Sequence, residues 1–223
     1  MTRLACLFAV AVAAATATGC HEPRSVLVHR PEDKAVDTAV TALWAHEVHA
    51  VARDGDWILT RSYYALGDAI AKLTPGEDLS HASIYDAQRD TVVEAVGSGV
   101  REISLSELIS RNHYVIVVRP TNMTATDQQH ALTRARSKVG TAFDKAGLFG
   151  INDDEKFYCS ELVWWASDGE ARTGERERVI TPADLMKYGE VIYWSGERTD
   201  PQVMEIAAAR APRTAPAKTV ATR

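Results

Sequence analysis

Phe157-Tyr158-Cys159-Ser160-Glu161-Leu162-Val163 is the stretch that decides the reading of this chain, because a cysteine opens an apolar helical run there. The helix expected over Ser160 to Ala166 puts the Cys159 sulfur near the positive end of a helix dipole. A thiol in that field loses its proton more readily and becomes the nucleophilic thiolate. Taken alone, a single cysteine is by default a buried structural side chain, since free cysteine packs as a small hydrophobe. Its company reverses that default. Ser80-His81-Ala82-Ser83-Ile84-Tyr85 reads as a strand carrying an imidazole base. Val92-Val93-Glu94-Ala95 reads as a further strand, with one carboxylate on it.

Working outward, the chain of 223 residues has three cysteines, and the ends account for two of them. Residues 1–20 predict a secretory signal: Arg3 supplies a positive start, Leu4 to Ala15 is apolar, and small residues follow. The run ends Ala17-Thr18-Gly19-Cys20, which resembles a bacterial lipobox with Ala where Leu is usual. Cys6 is then expected to leave with the signal, and Cys20 to be lipidated and become the new N-terminus. Cys159 keeps no intramolecular partner, which suits a catalytic thiol in an oxidising compartment, where spare cysteines pair. Acyl chains on Cys20 would hold the protein on a membrane of the bacterial cell envelope, facing the periplasm. If the lipobox is not used, simple secretion is expected instead. Residues 21–32 read as a tether, and residues 200–223 as a disordered basic tail too poor in apolar surface to order itself.

Between them lies one domain, residues 33–199, of about 165 residues, enough for a proper core. The net charge of −5 is mild, and no Gly-rich phosphate loop appears, so no nucleic-acid partner is expected. Apolar spacing predicts a helix over Asp33 to Ala52, a strand over Trp57 to Thr60 and a helix over Tyr64 to Leu73. Strands are expected near 80–86, 91–96, 99–103 and His113 to Arg119. Ser104 and Glu107 read as a capping box, and Gly140 as the stop of a helix running from Thr126 to Val139. Thr181-Pro182 opens a last short helix ended by Gly189, before a strand over Val191 to Trp194. Strands in the middle with helices at both ends make an α+β domain.

In their order and spacing, the stretches at Asp54 to Leu59, Ser80 to Tyr85, Val92 to Ala95 and Phe157 to Leu162 resemble the permuted NlpC/P60 cysteine hydrolases of the YiiX/YebB-like group. The resemblance implies a circularly permuted papain-like fold: a central antiparallel sheet with helices packed at its ends and face. It also implies that Cys159 is the nucleophile, His81 the general base and Glu94 the residue that orients the imidazole. The Cys159 backbone N–H suits an oxyanion donor. Tyr158, Ser160 and Glu161 are expected around it, Tyr158 to assist or to pack and Glu161 to brace the helix start.

The activity implied is hydrolysis of an amide through a thioester, with a peptidoglycan peptide as substrate. Two alternatives stand beside it: lipid acyl hydrolysis or transfer by the same triad, and a non-catalytic module that keeps the cleft. No cofactor is expected and no metal. His46 and His49 lack the His-Glu-x-x-His spacing and further ligands, so they read as a solvated helix face. His113 and His130 read as a strand start and a helix surface. Asp54 and Asp56 read as turn formers, and Trp164 and Trp165 as packing. Oligomeric state is not legible.

Overall fold

A computed structural model describes residues 23–73, 76–151, 153, 155–167 and 179–211. The elements are α1 (Lys34–Val51), β1 (Trp57–Ser62), α2 (Ala65–Leu73), β2 (His81–Asp86), β3 (Thr91–Val96), β4 (Gly99–Ser104), α3 (Leu105–Ser110), β5 (Asn112–Pro120), α4 (Ala125–Ser137), α5 (Cys159–Ala166), β6 (Gly189–Trp194) and α6 (Pro201–Arg210). Two 3₁₀ turns stand at Gly147–Phe149 and Asp184–Tyr188. The second replaces the short helix expected after Thr181. α5 starts one residue earlier than expected, at Cys159 itself.

The six strands form one antiparallel sheet in the order β4-β3-β2-β1-β5-β6. Strands in its middle are buried on both faces, so their sequences run apolar without alternation. One core holds Trp57, Leu59, Ala82, Ile84, Val93 and Ala95 against the α4 and α5 side. The other holds Ile58, Tyr85, Val92, Val115 and Val117 against α1 and α3.

Local chemistry sets the ends of the helices. Asp33 accepts from the backbone N–H groups of Ala35 and Val36 at 2.8 and 3.3 Å, capping α1. Thr124 and Asp127 form a reciprocal capping box on α4. Gly55 has φ +81°, and a Cβ there would collide with the Gln128 carbonyl, so the turn into β1 requires glycine.

Both expected loose ends behave differently where they are described. Pro201–Arg210 is helical rather than disordered. Asp200 caps it by accepting from the Gln202 N–H at 2.8 Å, and Ala207 is buried against the α1 side. Alanine's helix propensity and a narrow contact through Val203 and Ala207 hold this short helix. Neither leaves the broad apolar stripe by which a helix is recognised in sequence. The expected tether is also tied down from residue 23 onward. Arg24 bridges Tyr64, Ser25 donates to Asp68 at 2.6 Å, and the Val26 N–H donates to the same carboxylate at 2.8 Å. The expected signal, Cys6, Cys20 and residues 212–223 lie outside the described residues.

Candidate active site

Cys159 is the first residue of α5 and is 5% exposed. The strand-like segment before it is fixed by a bridge between Phe143 and Phe157. Asp144 accepts from the backbone N–H groups of Ala146, Gly147 and Asp153, which holds the preceding loop in shape. The three residues expected around the thiol brace its helix. Tyr158 accepts from the Ile180 N–H at 2.9 Å, and Ser160 donates to the Ile180 carbonyl at 2.8 Å. Glu161 accepts from the Tyr158 N–H at 3.4 Å. Tyr158 thus turns its hydroxyl to residue 180, which favours packing over assistance. Residue 180 lies far enough along the chain that no spacing rule announces it.

His81 is the first residue of β2, and its side chain is 12% exposed. Its Nε2 lies 2.7 Å from Glu94 Oε2, and its ring also hydrogen-bonds the Cys159 side chain. With Nε2 taken by Glu94, Nδ1 is the nitrogen left for sulfur. Register pairs Glu94 with Ser83 and with Arg101. Strand alternation gives Glu94 the face of Val92, on the α1 and α3 side, while Cys159 comes from the α5 side. The His81 ring at the start of β2 joins them.

Sequence reasoning missed the arginines behind the carboxylate. Glu94 is fully buried, and Arg111 Nη2 donates to its two oxygens at 2.8 and 3.0 Å. Arg101 Nε donates to Oε1 at 2.9 Å. A carboxylate inside an apolar strand was the one signal pointing to buried cations, because such a charge has to be paired.

These contacts set the charges. Burial alone would push the Glu94 carboxyl up, but the bond to His81, its charge and the two guanidiniums outweigh it and hold the pKa at about 2. Burial would lower the His81 imidazole, yet its bonds to Cys159 and Glu94 raise it to about 9. Burial would raise the Cys159 thiol. The His81 bond and charge, with the backbone N–H groups of Ala82 and Ser160, bring it below the ordinary thiol value. All three shifts favour thiolate, imidazolium and carboxylate together.

The group opens into a cleft of about 460 Å³ that Cys159 and His81 both line. Leu66, Ile70 and Phe143 give it an apolar side, and Arg101, Arg111 and Asn112 a polar one. On α2, a Cβ at Gly67 would collide with Ser62 Oγ, so the cleft wall sits tightly on β1.

The other candidate residues lie elsewhere. His49 faces Tyr85 and Asp90, half-exposed. His113 is buried rather than a simple strand start, between Tyr63 and Glu197. His130 is on the surface of α4. Asp54 accepts from the Ala87 N–H, and Asp56 is buried between Arg119 and Gln128. Trp164 is buried, and Trp165 half-buried against Phe157. Among the described residues no group of three or more His, Cys, Asp or Glu side chains is arranged to hold a metal ion.

Over residues 51–205 the chain matches the model of a family described as permuted papain-like amidase enzyme, YaeF/YiiX, C92 family. Among solved structures it is similar to one titled the crystal structure of metalloprotein yiiX from Escherichia coli O157:H7. The identity is 24% and the TM-score 0.44, over 53% of this chain and 66% of that one, just under two thirds of its length. No curated protein matches. The family match takes in most of the chain, which belongs to the permuted papain-like amidase enzymes of the YaeF/YiiX, C92 family.

Proposed function

We propose that the protein hydrolyses an amide bond of a cell-wall peptide through a thioester on Cys159. The observation that carries this is the hydrogen-bonded chain Cys159–His81–Glu94 opening into one cleft. The thiolate attacks the amide carbonyl carbon, and negative charge moves to its oxygen. The Cys159 backbone N–H, unpaired within the helix as any first-turn N–H is, faces that charge. The C–N bond then breaks as His81 gives its proton to the leaving amine, leaving a thioester. Water next loses a proton to His81, its oxygen attacks the thioester, and the C–S bond breaks to release the acid. Glu94 stays ionised throughout and fixes the ring.

The test is incubation with synthetic stem peptides, followed by mass analysis of the peptide containing Cys159. A mass gain equal to the acyl portion supports the reading. Turnover retained by Cys159→Ala overturns it. A second reading, acyl hydrolysis or transfer from a lipid, draws on the apolar side of the cleft at Leu66, Ile70 and Phe143. A fatty-acyl adduct from envelope extracts would select it. Absence of any adduct, with ligand bound unchanged, would select a non-catalytic module.

The envelope address belongs to the same proposal. Lipid on Cys20 anchors the enzyme at a membrane facing its substrate. Cys20→Ser is expected to release the protein from the membrane fraction. Continued sedimentation with membranes at high salt overturns the lipid anchor.

A further inference from the structure

The polar side of the cleft carries two arginines that converge on one buried carboxylate. Arg101 and Arg111 both bond Glu94, so two guanidiniums share one buried carboxylate. One arginine would suffice to neutralise Glu94. Both also emerge into the cleft, with side chains 38% and 21% exposed. Glu107, which lines the same cleft, is 3.9 Å from Arg101 and half-exposed, so it holds that arginine only weakly. The thiolate and imidazolium cancel each other. The two guanidiniums are thus opposed by one buried carboxylate and by a second held only at arm's length.

Donor accounting points the same way. Arg101 commits Nε and Nη2 to Glu94, and Arg111 commits Nη2 to Glu94 and Nε to the Glu107 carbonyl. A guanidinium has five N–H donors. The Nη1 group of each arginine keeps its two without an acceptor among the described residues. Beyond Arg111 the surface stays basic. Arg111 and Tyr64 also line a second cavity of about 850 Å³, whose other lining residues include Arg24, Arg30 and Lys34. There Arg30 is paired with Asp37 at 3.4 Å.

We propose that the Nη1 groups of Arg101 and Arg111 bind a carboxylate of the amide substrate, so that the cleft selects acidic amides over neutral ones of the same shape. A carboxylate supplies the acceptor that these N–H groups lack. Two separate N–H₂ groups suit the two oxygens of one planar carboxylate. Across the cleft Leu66, Ile70 and Phe143 receive the substrate's apolar flank, which makes the preferred substrate an amide with a carboxylate on one side only. This assignment rests on the thiol-centred reading above. It adds to that reading the chemical class of substrate and the residues that choose it.

The test needs no known substrate. Cys159 of the intact protein is alkylated with iodoacetate and with iodoacetamide at one pH and low salt, and the two second-order rates are compared. The wild-type protein is expected to favour iodoacetate. Arg101→Gln and Arg111→Gln are each expected to lower the iodoacetate-to-iodoacetamide ratio roughly tenfold, the worth of one charge-assisted hydrogen bond. Added salt should shrink the wild-type preference. Any change in thiolate fraction caused by the altered Glu94 contact affects both reagents and cancels in the ratio. An unchanged ratio in both variants overturns the proposal.

A second measurement uses only the wild-type protein. N-acetylglutamate should slow iodoacetamide labelling where N-acetylglutamine does not. Equal protection by both overturns the proposal. Protection by inorganic phosphate as strong as that by N-acetylglutamate overturns the carboxylate assignment. A wild-type thiol that resists both iodo reagents at every pH would instead sink the nucleophile reading itself, which is a different result from a reactive thiol without charge preference.

Discussion

Glu94 Oε2 sits 2.7 Å from His81 Nε2, and this bond fixes which ring nitrogen is left for Cys159. A carboxylate that is fully buried and held by two arginines cannot swing away to solvent, so the ring it holds has one orientation. The acid–base behaviour of the site follows from that constraint.

Cys159→Ala is expected to abolish thiol labelling and hydrolysis while the fold survives. The side chain lost is small, and α5 keeps its packing through Leu162 and Val163. Labelling by a thiol probe, with circular dichroism as the control for folding, checks this. Full turnover in the variant would show that another group does the chemistry.

Alkylation by a neutral reagent should reach its full rate at lower pH than for an ordinary thiol, because the Cys159 thiol lies below its ordinary value. His81→Ala should move the rate profile upward in pH by removing the cation beside the sulfur. Glu94→Gln should move it the same way by less, since the imidazole remains but loses its carboxylate. Rate-against-pH curves for the three proteins decide the matter. A curve identical in all three would mean a thiol packed as a hydrophobe.

The His81 pKa, raised from 6.5 to about 9, gives a stabilising contribution that is complete below about pH 6.5 and gone above about pH 9. Glu94, lowered from 4.5 to about 2, contributes above about pH 4.5 and loses that contribution as pH falls through about 2. Activity is accordingly expected to fall as pH rises through about 9, when the imidazolium loses its proton. The denaturation midpoint of the wild type relative to His81→Gln should be highest near pH 6 and converge by about pH 10. A gap that widens toward alkaline pH would contradict the charged pair.

Arg61 is fully buried between Asp68, at 2.6 Å, and Asp78, at 2.9 Å. Arg61→Met should destabilise the fold by about 3–5 kcal/mol, because it leaves the Asp68 charge buried beside a thioether. Urea unfolding measures it. A loss below about 1 kcal/mol would show that Ser25 and the Val26 N–H satisfy Asp68 without the arginine.

Much of this was readable before the fold was seen, and the reasons differ by element. Strands β2 and β3 announced themselves through apolar residues bounded by turn formers, and α5 through the run from Leu162 to Ala166. The three groups of the site stood out in different ways: Glu94 interrupts an apolar strand, Cys159 opens an apolar helical run and His81 heads a strand. Arg101 and Arg111 did not, since arginines on an edge strand and at a helix end look like ordinary solvated charges. Only the register of Arg101 against Glu94, and the return of the chain through α3, reveal their task. Arg61 was hidden in the same way: it sits in β1, while Asp68 is in α2 and Asp78 in the loop before β2, so no one element's period links them. α6 was missed because it is fastened by Val203 and Ala207 alone, a pair too narrow to read as an apolar face.

The segment from Arg24 to Val26 is hydrogen-bonded to Tyr64 and Asp68, at the head of the helix that walls the cleft. A mechanical load applied to the N-terminal end therefore falls on the wall of the cleft and, through Arg61, on β1. Tension there strains the Ser25–Asp68–Arg61 linkage first, while the strands bearing His81 and Glu94 are shielded behind β1. Force along the chain would act on the cleft wall and on β1 ahead of the reacting groups.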